Sequence, residues 1–306
     1  MNLEEIKGLI RIRDFSAALK KMDALVAGGP NEREIADLRL DCLMGIGQFE
    51  KAFAMTGELL QKDPTHNNAS ELRAHLQPAI DGPPRCQASP GLRSFNSELP
   101  HAVLSRIQWA VICGYQYRGI QMVKDPFDMA LYPMLIWNLR PATIIEIGSK
   151  TGGSALWFGD MLKNFDISGH IYSIDLLPPD GISQDNVTFL AGNGRALDQT
   201  LTLELLAGFD RPWLVIEDAD HAYETTIAVL EYLHPFLKAG DYIVIEDGII
   251  SDLHPESYPE YSSGPHRALR EFIPRHESDY LIDPQYCDFF GYNATWNSNG
   301  YLKRVR

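Results

Sequence analysis

The sequence predicts an α/β domain, built on a largely parallel β-sheet with helices on both faces and preceded by a small all-α domain. In the last two thirds of the chain, short β-branched runs alternate with helical segments, which is the pattern of a parallel sheet. A glycine-rich turn follows the first of these runs, and the first quarter repeats itself at a fixed spacing. A chain of 306 residues can bury one large core and still supply an accessory domain.

The repeat covers residues 1–78 and has a period of 34 residues. The paired positions are Phe15 and Phe49, Ala18 and Ala52, Leu25 and Leu59, and Pro30 and Pro64. This is the period of the tetratricopeptide repeat, in which each unit is a pair of amphipathic helices. We expect two such repeats and a capping helix over Asn68 to Gln77. Two repeats are few for independent stability, so this segment is expected to pack on the rest of the chain or on a second subunit of a homo-oligomer. A protein-binding surface and a plain helical appendage both remain open.

Turn-forming residues from Asp81 to Gly91 mark a linker, so residues 79–114 are assigned to the linker and a lead-in helix, and 115–306 to the α/β domain. The predicted strands are listed in chain order: Thr143–Ile147, His170–Ile174, Val187–Leu190, Trp213–Ile216 and Tyr242–Ile245. Helices are predicted over Gly153–Asn164 and Thr225–Leu237. In such sheets ligands bind beyond the carboxyl ends of the strands, where the candidate functional residues of this chain lie.

The composition of the chain limits the kinds of molecule that it can bind and the compartment in which it is expected. A net charge of −14 disfavours nucleic acid and anionic membranes, and favours a small molecule or another protein. The four cysteines are too scattered for a zinc site or a disulfide scaffold and are expected to be reduced thiols. The amino-terminal residues do not resemble a secretory signal, and no apolar run is long enough to span a bilayer, so a cytoplasmic location is expected.

The first strand leads into a turn typical of nucleotide-type cofactors. The candidate cofactor-binding residues after the first three strands are Glu146, Gly148, Ser149, Gly152, Ser154, Asp175 and Asn193. The glycines allow close backbone approach, and Asp175 suits the two hydroxyls of a ribose. Lys150 and Thr151 occupy positions where a dinucleotide fingerprint needs glycine. Glu146 suits the ammonium of a methionine moiety better than a pyrophosphate, which favours S-adenosylmethionine over NAD.

Acidic residues follow the fourth and fifth strands, which are expected to be neighbours. The candidates are Glu217, Asp218, Asp220, Glu246 and Asp247. Adjacent strands lie about 5 Å apart, so their terminal carboxylates can converge on a hard divalent cation, Mg²⁺ or Mn²⁺. His221 is the candidate base for a hydroxyl bound to that metal, and its alternative role is to cap the following helix. The residue types alone do not select among the five acids.

These segments resemble the cephalosporin hydroxylase family, whose members include rhamnosyl and macrolide-sugar O-methyltransferases. The resemblance covers residues 115–306, and its motifs are Tyr117–Asp128, Ile145–Ser154, Asp218–His221, Glu246–Asp247 and Gly300–Arg304. It implies a Rossmann-like class I methyltransferase fold that uses S-adenosylmethionine and magnesium. It also implies that Asp218, Glu246 and Asp247 hold the metal, that His221 is the general base, and that Tyr117 and Arg118 belong to a segment that folds over the cofactor.

The predicted function is therefore methyl transfer from S-adenosylmethionine to a hydroxyl of a small molecule, such as a sugar or a natural-product intermediate. One alternative is an inactive scaffold that binds a partner through the helical repeats. A second is an iron- and oxoglutarate-dependent hydroxylase, in which His254 and Glu256 bind iron with His266 or His276. A parallel α/β sheet argues against the hydroxylase, since that chemistry usually requires a double-stranded β-helix.

Overall fold

The structure is a computed structural model that describes residues 3–24, 32–81, 93–253 and 264–306. The chain divides into two compact units, Met1–Pro83 and Pro84–Arg306. Residues 82–91 of the predicted linker lie outside the described residues, and the predicted domain boundaries remain predictions.

The first unit is helical. Its helices are α1 (Leu3–Arg11), α2 (Phe15–Asp23), α3 (Glu32–Gly45), α4 (Phe49–Lys62) and α5 (Asn67–Asp81). Each helix packs against the next one along the chain, and Ala18 and Ala52 are completely buried, as expected for small residues at close helix contacts. The predicted capping helix is present and longer than expected. Leu25 and Pro30 lie outside the described residues, and the tetratricopeptide assignment remains a prediction.

The second unit holds the sheet. Its first elements are α6 (His101–Gly114), β1 (Gln116–Tyr117), β2 (Ile120–Gln121), α7 (Asp128–Leu139), β3 (Thr143–Ile147), α8 (Gly153–Asn164), β4 (His170–Asp175), β5 (Val187–Ala191), a 3₁₀ helix (Gly194–Gln199) and α9 (Leu203–Ala207). The others are β6 (Trp213–Glu217), α10 (Tyr223–Leu233), β7 (Tyr242–Ile245), α11 (Ile250–Leu253), α12 (Gly264–Arg275), β8 (Tyr280–Ile282), α13 (Pro284–Cys287) and β9 (Tyr301–Arg304). All five predicted strands are present. Helix α10 ends at Leu233, before the predicted Leu237, because Pro235 has no backbone N–H with which to continue the helical hydrogen bonds.

The sheet has seven strands in the order β5-β4-β3-β6-β7-β9-β8. Strands β3 to β7 are parallel, whereas β8 and β9 form an antiparallel edge. The predicted parallel-rich α/β fold is therefore confirmed. Strand β3 pairs with β4 on one side and with β6 on the other, so the order in which strands are added to the sheet reverses between β3 and β6. A ligand crevice is expected beyond the carboxyl ends of β3 and β6.

The three central strands β3, β6 and β7 are buried along their whole length, which explains why apolar residues dominate them in the sequence, although β3 also contains the buried Glu146. In the described ranges no helix combines the length and the apolar character needed to cross a membrane. Cys42, Cys113 and Cys287 are free thiols, and Cys86 lies outside the described residues.

His266 of α12 is a buried base. The side chain is completely buried, and its ring meets the edge of Phe95 with 4.9 Å between ring centroids. Neither ring nitrogen has a hydrogen-bond partner within the described ranges. Burial, assisted by the charge of Arg270, lowers the pKa of His266 to about 3. The native protein therefore holds this imidazole neutral well below the pH at which the unfolded chain protonates it.

His266→Leu is expected to make folding more resistant to acid. Between about pH 6.5 and about pH 3, His266 binds a proton in the unfolded wild-type chain but not in the native state. The free energy of unfolding therefore falls as the pH falls, by about 2 kcal/mol at about pH 5. The leucine variant lacks this loss. Urea unfolding at about pH 7.5 and about pH 5 measures it, with the exposed His101→Leu as control. An equal loss of stability in wild type and His266→Leu on acidification would contradict the assignment.

Candidate active site

A cavity of about 370 Å³ opens beyond the carboxyl ends of the parallel strands. Eight of the predicted site residues line it, and they are Gly148, Ser149, Ser154, Asp175, Asn193, Asp218, His221 and Asp247. The predicted residues Tyr117, Arg118, Glu146, Gly152 and Glu246 are not among its lining residues. The predicted cofactor loop and two of the three predicted metal residues, Asp218 and Asp247, therefore line one cavity.

The loop after β3 is shaped by two glycines with left-handed backbone conformation. Gly148 has φ +112°, and a Cβ atom there would lie 1.8 Å from the carbonyl oxygen of Asp218. Gly152, with φ +82°, precedes α8 and opens its first turn. Because glycine at both positions lets the loop approach the neighbouring strand end, Ser154 at the start of α8 reaches the cavity.

Asp175 and Asn193 are held in place by backbone amides. Asp175 accepts hydrogen bonds from the amides of Lys150 (2.8 Å) and Leu177 (3.0 Å). The side-chain oxygen of Asn193 accepts from the amide of Arg195 at 2.9 Å. Both side chains are thus fixed at strand ends and line the cavity, and their contacts with a ribose and an adenine remain predictions.

Glu146 lies within β3 and is completely buried. Its Oε2 accepts a hydrogen bond from Ser173, whose hydroxyl lies 2.6 Å from that of Ser149, a cavity residue. Oε1 has no partner among the described residues. Burial raises the pKa of Glu146, and the charge of Lys124 opposes that shift. The predicted contact of Glu146 with an ammonium group remains a prediction.

Tyr117 and Arg118 lie away from the cavity wall. The Tyr117 hydroxyl donates to Asp160 at 2.9 Å, and Arg118 donates to the same carboxylate at 3.0 Å. The segment they belong to does cover the cavity, but through Gln121, Met122 and Val123. The part of this segment that lines the cavity therefore lies three to six residues after Tyr117 and Arg118, and the role of these two residues in cofactor binding remains a prediction.

Asp218, His221 and Asp247 line the cavity and lie close together. Each offers one metal-ligating atom, and these atoms all lie within 4.8 Å of one another. Nδ1 of His221 lies 3.3 Å from Oδ2 of Asp247. His221 (φ +57°) and Asp247 (φ +56°) both adopt left-handed backbone conformations, which cost energy in non-glycine residues and are concentrated at functional sites.

The two other acids at the end of β6, Glu217 and Asp220, do not belong to the group formed by Asp218, His221 and Asp247. Glu217 is buried and accepts hydrogen bonds from Thr226 (2.9 Å) and the amide of Ala219 (3.3 Å). Burial raises the pKa of Glu217 to about 7. Asp220 lines the cavity and forms an ion pair with Arg195 at 3.1 Å. Of the acids that follow β6, Asp218 is therefore the one that converges with Asp247 and His221.

Glu246 differs from its neighbour Asp247. Glu246 is buried and does not line the cavity. Both of its oxygens accept hydrogen bonds, Oε2 from Lys124 at 2.7 Å and Oε1 from the hydroxyl of Tyr132. Lys124 also donates to Oδ2 of Asp218 at 2.5 Å. Burial acts to lower the pKa of Lys124, but the charges of Asp218 and Glu246 outweigh it and raise the pKa above its ordinary value.

Lys124 and Tyr132 are site residues that the sequence reasoning missed. Lys124 belongs to one of the motifs of the family resemblance, yet a single lysine between Val123 and Asp125 carries no sign that it is buried. Its partners lie 94 and 122 residues away in the sequence. Only the fold brings them together.

Two residues of the hydroxylase alternative, His254 and Glu256, lie outside the described residues. Of its two candidate third ligands, His276 groups with His234 and Asp279, and no metal-type cluster among the described residues contains His266. The seven-stranded α/β sheet is also not the β-helix that this chemistry usually uses.

Comparison with known proteins places these features in context. A model of the family described as rhamnosyl O-methyltransferase/CmcI matches residues 110–305. A rhamnosyl O-methyltransferase of Mycobacterium leprae (strain TN) is 29% identical over 192 residues, which cover 61% of this chain and 82% of that protein. One of Mycobacterium tuberculosis (strain ATCC 25618 / H37Rv) is 28% identical over 193 residues, covering 61% and 77%. A solved structure of CmcI with Mg and SAM has 27% identity and a TM-score of 0.51, covering 63% of this chain and 77% of that one.

Proposed function

This chain belongs to the rhamnosyl O-methyltransferase/CmcI family, and we propose that it methylates a hydroxyl of a sugar or of a sugar-bearing natural product. The predicted S-adenosylmethionine-dependent O-methyltransferase activity is confirmed by this membership. The observation that carries the proposal is that the glycine loop, Asp175, Asp218, His221 and Asp247 all line the same cavity. It provides space for a cofactor next to a place where a hydroxyl can be activated.

The donor set fits magnesium. Carboxylate oxygens are the ligands that Mg²⁺ and Mn²⁺ prefer, and Asp218 and Asp247 present them from two adjacent strand ends within 4.8 Å. Asp218, Asp247 and Glu246 would hold the ion. Bound there, the ion would lower the pKa of an acceptor hydroxyl, and S-adenosylmethionine would supply the methyl group.

The loop residues fit the cofactor. Gly148 packs against the backbone of Asp218 with no space for a Cβ atom, which brings the loop backbone to the cavity wall. Asp175 would accept hydrogen bonds from the ribose hydroxyls, and Asn193 would contact the adenine. Ser149 and Ser154 line the part of the cavity nearest the start of α8, where their hydroxyls and the helix amino terminus suit the carboxylate of the methionine moiety.

His221 would take the proton from the acceptor hydroxyl. Because its Nδ1 lies 3.3 Å from the Asp247 carboxylate, a proton on Nδ1 would be held there and Nε2 would be the basic atom. Asp247 would thus orient the base as well as bind the metal. Loss of the hydroxyl proton at Nε2 leaves an oxygen nucleophile for the methyl carbon.

The acceptor is proposed from the relatives. Two of them are named rhamnosyl O-methyltransferases, and a sugar diol can offer two oxygens to one metal ion. The cytoplasmic location, the homo-oligomer and a protein partner for the helical repeats remain proposals that rest on the sequence alone.

The experiment is a methyl-transfer assay with purified protein, radiolabelled S-adenosylmethionine and a rhamnoside acceptor. Transfer is expected with Mg²⁺, to fall to background after chelation by EDTA, and to return when Mg²⁺ is added in excess. Calorimetry should show S-adenosylmethionine binding. Undiminished transfer after chelation would contradict the metal, and absence of any heat with cofactor and metal would favour the scaffold alternative.

A further inference from the structure

Lys124 is a buried cation among the proposed metal ligands. Its side chain is 1% exposed, and its ammonium nitrogen lies 2.5 Å from Oδ2 of Asp218 and 2.7 Å from Oε2 of Glu246. These two acids follow adjacent parallel strands, β6 and β7. The ammonium therefore bridges the carboxylates that a metal ion would bridge.

We propose that Lys124 competes with the metal: its ammonium is a built-in counter-ion for Asp218 and Glu246, and it keeps metal binding weak and reversible. This inference rests on the proposed function, because it assigns the two acids to the metal. Lysine suits the role, since its ammonium is a compact point charge on a flexible stem that can withdraw from one oxygen while it keeps another.

Charge counting supports competition. Asp218, Glu246 and Asp247 carry three negative charges in their ionised forms, and Lys124 neutralises one of them in the protein without metal. The ammonium would repel a divalent ion held by the same carboxylates, and this repulsion would be strong because the site is buried. Removing the lysine charge removes that repulsion and leaves all three carboxylates for the ion.

The surroundings of Glu246 allow a clean test. The Tyr132 hydroxyl donates to Oε1 of Glu246, whereas Lys124 donates to Oε2. This carboxylate therefore keeps one hydrogen bond when the lysine is replaced. Lys124→Met retains most of the side-chain volume and removes only the charge. A positioning role for Lys124 predicts weaker metal binding in this variant, whereas competition predicts tighter binding.

The experiment is calorimetric titration of Mg²⁺ into wild type, Lys124→Met and Lys124→Gln, with thermal unfolding at several Mg²⁺ concentrations. Competition predicts a Kd for Mg²⁺ at least about tenfold lower in Lys124→Met. It also predicts a lower unfolding midpoint without metal and a larger rise when metal is added. Lys163→Met, which removes an exposed ion pair with Asp185, is the matched control and should leave the Kd unchanged.

The opposite outcomes are distinct. An unchanged or higher Kd in Lys124→Met overturns competition, and so does failure of both variants to fold at any Mg²⁺ concentration, because the lysine would then be needed beside the metal. A Lys124 variant that folds only when Mg²⁺ is present supports competition. Absence of Mg²⁺ binding in the wild type would contradict the proposed metal site itself and the inference with it.

Discussion

Asp218→Asn is expected to lower kcat/KM by about a thousandfold or more while the Kd for S-adenosylmethionine changes less than about threefold. The amide keeps the shape of the side chain but removes one of the charges that face the cavity, so Mg²⁺ binding should fail. The cofactor loop around Gly148 and Asp175 does not depend on that charge. Steady-state kinetics with calorimetry of both ligands measures the separation.

Asp220→Asn is the matched control for this variant. It makes the same chemical change two residues along the same loop, at a carboxylate that is paired with Arg195. Its Kd for Mg²⁺ should remain within about threefold of wild type, since Asp220 lies outside the converging group. Loss of Mg²⁺ binding in Asp220→Asn with retention in Asp218→Asn would show that the ligand assignment is wrong.

His221→Asn is expected to lower kcat by about a hundredfold to ten-thousandfold, the range for loss of a general base. Asparagine tolerates the left-handed backbone conformation at this position better than most residues, so the fold should persist. Mg²⁺ and S-adenosylmethionine should bind as in wild type.

The metal titration of His221→Asn also decides between two roles. His221 lies in the same ligand-type group as Asp218 and Asp247, and a neutral imidazole can bind a metal. Retained Mg²⁺ affinity with lost turnover supports the base, whereas lost Mg²⁺ affinity would place His221 among the ligands and contradict its assignment as base. Thermal unfolding of the variant controls for misfolding.

The fold was predictable because its strands differ sharply from their flanks. Strands β3, β6 and β7 are buried on both faces, so apolar residues dominate each of them, although β3 also contains Glu146, and an acid or a glycine stands at the end of each. Polar residues at the ends of the parallel strands also indicated Asp175, Asn193, Asp218 and Asp247. Strand β8 has three residues, too few for its burial pattern to stand out in the sequence.

The site was less predictable where its geometry depends on distant packing. Glu246 and Asp247 are adjacent acids after the same strand, yet Asp247 faces the cavity and Glu246 is anchored by Tyr132 and Lys124. These partners belong to the segment before β3 and to α7, far away in the sequence. No local pattern reports such pairing. The same holds for Tyr117 and Arg118, whose contacts with Asp160 appear only in the folded protein.

The most direct test of the shared cavity is a crystal structure with Mn²⁺ in place of Mg²⁺ and with S-adenosylmethionine bound. We predict an anomalous peak in the cavity within about 2.5 Å of carboxylate oxygens from both strand-end loops, those of Asp218 and Asp247, with the cofactor against the loop at Gly148. A cofactor-bound crystal at saturating Mn²⁺ with no peak at these carboxylates would contradict the account.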